Sequence, residues 1–201
     1  MPQFPRTQAF TKIELLVAVA VLCLGGWLIL PSYSQKRVAE RRAQCLANLA
    51  EIGRALESYL QQSDRHWPYV AKLASIPLHD PPWPALPKVL QPFMAGSSTE
   101  VFRCPADRRS LNADSPLAKR FPRSTTWYET ETTSYEWLWG EAYGGRKVGQ
   151  ESITSPRGFG FGPADQPLLA DFEPFHEGDE QGSFNTLNAD LKPRTSKDVR
   201  R

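Results

Sequence analysis

The chain has 201 residues, with 24 Lys plus Arg against 22 Asp plus Glu and a net charge of +2. So even a balance excludes a global field built for nucleic acid or for a strongly acidic partner. Mean hydropathy is −0.46, yet the apolar residues concentrate near the start, while the 18 prolines and 13 glycines fall mostly after residue 64. That pattern is a turn-rich soluble body on a hydrophobic stalk rather than a helical bundle.

The first element is the apolar run. Between residues 13 and 30 every residue except Glu14 is apolar or glycine. At about 1.5 Å per residue, a helix over this run spans roughly the hydrocarbon core of a bilayer. A cleaved secretory signal is the alternative, but its apolar region usually has about 7–15 residues and ends at small residues. This run is longer, ends in Ile29-Leu30-Pro31 and leads into a second helical pattern, which favours a retained membrane segment. Glu14 stands out, because a carboxylate at the centre of a span costs about 2.5–3.5 kcal/mol, softened near a helix end. Such an acid needs a counterion. One helical turn ahead lies the backbone nitrogen of Phe10, which becomes a charged amine only if the chain is cut between Ala9 and Phe10. The partner amine would then belong to another subunit.

The stretch "AFTKIELLVAVAVL" resembles the class III signal of type IV pilins and type II secretion pseudopilins. The resemblance implies that a prepilin peptidase cuts on the cytoplasmic side before Phe10 and N-methylates the new terminus. Glu14 would then meet the Phe10 amine of the adjacent subunit as a filament grows. It also implies a single-pass protein of the bacterial inner membrane, with its head in the periplasm or on a filament. Its partners would be the peptidase, other pilins or pseudopilins, an inner-membrane assembly platform and the lipid bilayer. Pro31 stands where the family carries a helix proline. Two positions differ from the family pattern: the leader ends in Ala9 rather than glycine, and Lys12 replaces the usual leucine. Arg6 and Lys12 precede the span, while Lys36, Arg37, Arg41 and Arg42 follow it. The positive-inside rule alone favours the reverse topology, whereas the processing motif sets the later charges outside.

From residue 32 to 63 the sequence has helical periodicity, with Val38, Cys45, Leu49, Ile52, Leu56 and Tyr59 on one stripe. Pro31 removes a backbone donor and should bend or locally open the helix. Uninterrupted, the helix from Phe10 to Gln62 would measure about 80 Å. The basic residues Lys36, Arg37, Arg41 and Arg42 read as a solvated face or a lipid-headgroup contact. The charge balance gives no support for their binding DNA, as an uptake pilin would.

Past Asp64, "HWPYVAKLASIPLHDPPWPALPKVLQPF" suits an irregular layer around the helix. "EVFRCPADRRS" reads as a short strand before a turn. "TTSYEWLWG", "QPLLADF" and "GSFNTLNADL" read as later strands, with Trp127, Trp137 and Trp139 as core candidates. "KPRTSKDVRR" reads as a mobile polar tail. The expected fold is α+β: a long N-terminal helix, membrane-embedded in its first half and amphipathic in its second, packed on a small antiparallel sheet. The expected divisions are a leader (1–9), a transmembrane or filament-core helix (10–31), a stalk helix (32–63), a head (64–191) and a tail (192–201).

The landmarks "RRAQCLANLAEIGRALESY", "FRCPAD", "SYEW", "LLADF" and "HEGDEQGSFNTLNADL" resemble a pseudopilin-like group with a C-terminal His–nine residues–Asp–Gly signature. Here thirteen residues separate His176 from Asp190, and Leu191 stands in place of the glycine. Cys45 and Cys104 fall at two of the group's landmarks. In an oxidising periplasm a disulfide between them could tie the sheet to the helix and contribute about 4–5 kcal/mol; two buried free thiols are the alternative. Cys23 lies in the apolar run.

The acids Asp171, Glu173, Glu177, Asp179, Glu180 and Asp190, with Asn185 and Asn188, offer oxygen ligands. "DEQGSFN" nevertheless lacks the order of a calcium loop, so a solvated acidic loop is expected. His66, His79 and His176 have no metal-ligand spacing with each other or with the cysteines, so no metal and no cofactor is expected. There is no GxSxG, HExxH, phosphate loop or dinucleotide fingerprint, and "GGRKVG" and "RGFGFG" read as turns. The chain therefore reads as a structural filament subunit rather than an enzyme. The alternatives are a membrane-tethered carbohydrate- or peptide-binding module, or a DNA-uptake pilin.

Overall fold

The computed structural model describes residues 11–94, 96, 98–108, 126–138, 144–149, 166–176 and 183–196, and the side chains of residues 23–34 fall outside the description. The leader, Phe10, Trp139, Glu177, Asp179, Glu180 and the "RGFGFG" segment therefore lie outside the described residues, as does the side chain of Cys23. The chain divides into two compact units, residues 1–39 and 40–201. Helix α1 (Lys12–Gln62), 51 residues long, contributes to both.

In the first unit α1 starts on a capping pair. The Thr11 amide donates to Glu14 Oε2 at 2.8 Å, and the Glu14 amide donates back to Thr11 Oγ1 at 3.3 Å. This is the reciprocal S/T-x-x-E arrangement, which satisfies backbone donors that a helix start leaves open. Ile13, Leu15, Leu16, Val17, Val19, Val21 and Leu22 are exposed. Among the described residues no helix is long and apolar enough to cross a membrane. The helix continues through position 31, where the sequence marks a bend or local opening.

In the second unit the apolar stripe becomes the spine of the core. Cys45, Leu49, Ile52 and Leu56 are completely buried, as their three- and four-residue spacing requires of a helix with one covered face. Tyr59 is half-buried, edge-on to Phe93 with ring centroids 5.3 Å apart. Trp67, Leu90, Phe102, Tyr135, Trp137, Leu169 and Leu187 complete the cluster. Gly53 marks the closest approach of the helix to the sheet region: a Cβ there would lie 3.0 Å from the Leu191 carbonyl and 3.2 Å from Leu187 Cδ1.

The sheet has four antiparallel strands in chain order: β1 (Tyr135–Trp137), β2 (Pro167–Asp171), β3 (Phe184–Asn188) and β4 (Pro193–Ser196). Tyr135 lies opposite Asp171, and Leu169 opposite Leu187. The first three strands fall within the segments read as strands from sequence.

Two segments differ from the sequence reading. "EVFRCPADRRS" supplies no strand; Thr99–Phe102 is a 3₁₀ turn whose first amides are capped by Ser98, with Oγ accepting from the Glu100 amide at 3.2 Å. The segment read as a polar tail supplies β4. Thr195 Oγ1 donates to Asn185 Oδ1 at 3.0 Å, and Arg194 pairs with Asp190 at 2.8 Å. An edge strand needs one partner and little apolar content, so alternation does not betray it.

Candidate functional site

The sequence-derived residues fall into two groups. At the N-terminus Ala9 and Phe10 lie outside the described residues. Glu14 sits in the first turn of α1, with Oε2 accepting from both the amide and the hydroxyl of Thr11 at 2.8 and 2.9 Å. Thr-x-x-Glu is the local sequence signal for this contact. Of the basic residues, Lys36, Arg37 and Arg41 are exposed. Arg42 is not part of a solvated face: it is half-buried and donates from Nη2 to Ser183 Oγ at 2.7 Å.

The second group is in the head. Cys45 of α1 and Cys104 of the "FRCPAD" turn form a disulfide, with Cα atoms 5.1 Å apart. The turn is held by Asp107, whose carboxylate accepts from the amides of Trp127 and Tyr128 at 3.0 and 2.9 Å and from Ser134 Oγ at 2.7 Å. Ser134 Oγ also accepts from the Cys104 amide at 3.0 Å. Through these contacts the "CPAD" turn and the "SY" strand satisfy each other's polar groups. Burial pushes the Asp107 carboxyl above the ordinary carboxylate range, and its three hydrogen bonds partly oppose that.

Beside the disulfide, His176 Nε2 lies 3.6 Å from Cys104 Sγ and 3.5 Å from Asp171 Oδ2. Asp171 ends β2, is fully buried, and accepts the Asn185 amide at 2.6 Å. The Asp171 Oδ1, His176 Nδ1 and Asn185 Nδ2 atoms have no hydrogen-bond partner among the described residues. Burial drives the Asp171 carboxyl well up, while burial and the Arg42 charge push His176 down to about 4. Burial thus favours the neutral form of each group, and at 3.5 Å the two gain little from each other to offset the loss of solvation. Burial also pushes the Tyr135 hydroxyl up.

This arrangement revises two sequence expectations. Asp171 is not part of a solvated acidic loop, and the other acids that can be described are dispersed: Asp190 binds Arg194, and Glu173 accepts from Trp127 Nε1 at 3.1 Å. No metal-ligand spacing links His176 to the cysteines in sequence, yet Cys45, Cys104 and His176 place their ligand atoms within 4.8 Å of one another. The three come from separate parts of the fold, where spacing rules do not reach. His66 instead contacts the Ser63 carbonyl through Nδ1 at 2.9 Å, and His79 stacks on Trp83 with ring centroids 3.7 Å apart. "GGRKVG" does form a turn, with Gly145 and Gly149 at positive φ. His176 and Asp190 do not meet as one site, since His176 is buried in the cluster and Asp190 pairs near the surface. Leu191 adopts φ 58°, so the left-handed turn after Asp190 is made without glycine.

A cleft of about 490 Å³ opens beside Cys104, bordered by Asn48, Glu51, Glu100, Arg103 and Asp107. No family model, curated protein or solved structure matches the chain.

Proposed function

We propose that the chain is a structural, pseudopilin-like subunit of a type II secretion or type IV pilus-like filament. A prepilin peptidase processes it before Phe10 at the inner membrane, and the first half of α1 serves as membrane anchor and then filament core. The observation that carries this reading is Glu14, four residues after Phe10 and at the head of the apolar run. A carboxylate there needs a cation, and the freed amine of a neighbouring copy supplies one, still charged after methylation. The exposed apolar side chains from Ile13 to Leu22 support it, because they are the packing surface that lipid or adjacent helices would cover. The head, with its disulfide and its own core, remains outside the membrane.

N-terminal sequencing of membrane-extracted protein, with and without the peptidase, tests the reading. A mature chain starting at Phe10 that cross-links into multimers supports it. An intact leader on a monomer overturns it in favour of the second reading, a tethered carbohydrate- or peptide-binding module. That reading has its own support: His79 stacks on Trp83, Tyr69 meets Trp83 edge-on at 5.2 Å, and Tyr69 and Leu78 are exposed.

A further inference from the structure

We propose that, once the Cys45–Cys104 disulfide is reduced, Cys45, Cys104 and His176 hold one Zn²⁺, with the Asp171 carboxylate turning in from beside His176 as the fourth ligand. The two sulfurs and His176 Nε2 already lie within 4.8 Å of one another. The His176 nitrogen stands 3.6 Å from Cys104 Sγ and 3.5 Å from Asp171 Oδ2. The nitrogen–oxygen separation is long for a hydrogen bond. Both separations match the edges of a zinc tetrahedron, about 3.3–3.6 Å when the metal–ligand bonds are about 2.0–2.3 Å. Opening the disulfide requires the sulfurs to part to about 3.8 Å, the Zn–S–S edge implied by the same bond lengths, within reach of side-chain rotation.

Two further observations point to a cation. Asp171 Oδ1 has no hydrogen-bond partner among the described residues although the residue is completely buried, and metal coordination compensates a buried carboxylate. Two thiolates, one carboxylate and Zn²⁺ sum to a single negative charge. Arg42 balances it, being held in place by Ser183 Oγ, which in turn donates to the His176 carbonyl at 3.2 Å. Thiolate and imidazole ligands favour zinc among common divalent ions.

The chemistry balances with a dithiol as reductant. It passes two electrons and two protons to the disulfide and becomes a disulfide itself. Zn²⁺ then displaces the two thiol protons and the Asp171 carboxyl proton into solvent. The disulfide and the metal are thus alternative staples for the same junction of helix, turn and sheet, independent of whether the chain assembles.

The test uses the full chain in detergent, oxidised or reduced under argon, titrated with Co²⁺ as a spectroscopic stand-in. The reduced chain should take one Co²⁺ with the intense visible bands of a tetrahedral thiolate site, displaced by Zn²⁺, and the oxidised chain none. His176→Gln should weaken binding by at least about 10–100-fold, while the oxidised variant keeps its disulfide and its circular dichroism. A reduced wild-type chain without the tetrahedral spectrum, or a folded His176→Gln variant that binds as well as wild type, overturns the proposal.

Discussion

Glu14 has one observed contact and one proposed contact, and single substitutions can divide them. Its carboxylate caps Thr11, which glutamine can do as well, since Gln also serves at the third helical position of a capping box. The proposed contact with a neighbouring amine needs the charge. Glu14→Gln should therefore leave membrane insertion intact but impair incorporation, as should Glu14→Val; cross-linking of membrane fractions measures this. Normal multimers from Glu14→Gln would reduce Glu14 to a helix cap. Asp171 and His176 make a second residue-scale prediction, about pH. Asp171 is raised, so above the ordinary carboxylate range the folded protein holds a proton the unfolded chain has released, and stability falls as pH rises towards the folded pKa. His176 is lowered to about 4, so between about pH 6.5 and about pH 4 the unfolded chain binds its proton first and acid destabilises. In that window the two effects oppose each other. Asp171→Asn removes the first effect alone, so the variant should gain stability relative to wild type as pH rises above the ordinary carboxylate range, and should keep the acid destabilisation that His176 causes. Chemical denaturation across pH reads this directly, and parallel curves for the two proteins would refute it.

At the scale of elements, the helix meets the sheet region through one missing side chain. Alanine in place of Gly53 gains about 1 kcal/mol of helix propensity, but its Cβ would press on the Leu191 carbonyl at 3.0 Å. Backbone yields less than a side-chain end, so Gly53→Ala should cost about 1–3 kcal/mol overall, seen as a lower thermal midpoint. An unchanged or higher midpoint would mean that the 189–192 turn shifts freely. Asp107 joins the "CPAD" turn to the short helix α2 (Tyr128–Glu131) and β1 through three hydrogen bonds. Asp107→Ala leaves two amides and a hydroxyl without that acceptor and should destabilise by about 2–4 kcal/mol, allowing about 1–3 kcal/mol for each donor that water cannot reach. Asp107→Asn, which keeps an acceptor, should cost less.

For the whole molecule the disulfide is the covalent cross-link described, closing a sequence separation of 59. Reduction should lower the head's unfolding free energy by about 4 kcal/mol on the loop-entropy model. Urea titrations with and without reductant, in metal-free buffer, check this; coincident curves would show that the reduced thiols pack as well as the bridge. The core explains why the cross-link sits where it does. Cys45 belongs to the same buried stripe as Leu49, Ile52 and Leu56, so the bridge fastens a helix face that is already desolvated to a turn that has little apolar surface of its own.

By itself the sequence determined the features whose cause is local. The buried stripe of α1 follows from helical period, and β1, β2 and β3 fall in short runs bounded by turn residues; both signals lie within a dozen residues. The Thr11–Glu14 cap is just as local and was equally legible. Tertiary structure decided the rest. β4 exists because β3 offers it an edge, Thr99–Phe102 is a 3₁₀ turn that pairs with none of the described strands, and Arg42 leaves the basic face because Ser183 receives it. The cluster around the disulfide draws its atoms from α1, the "FRCPAD" turn, β2 and the segment after it. No spacing rule spans those separations; only closure of the core brings the four side chains together, and burial then raises the Asp171 carboxyl and lowers the His176 imidazole.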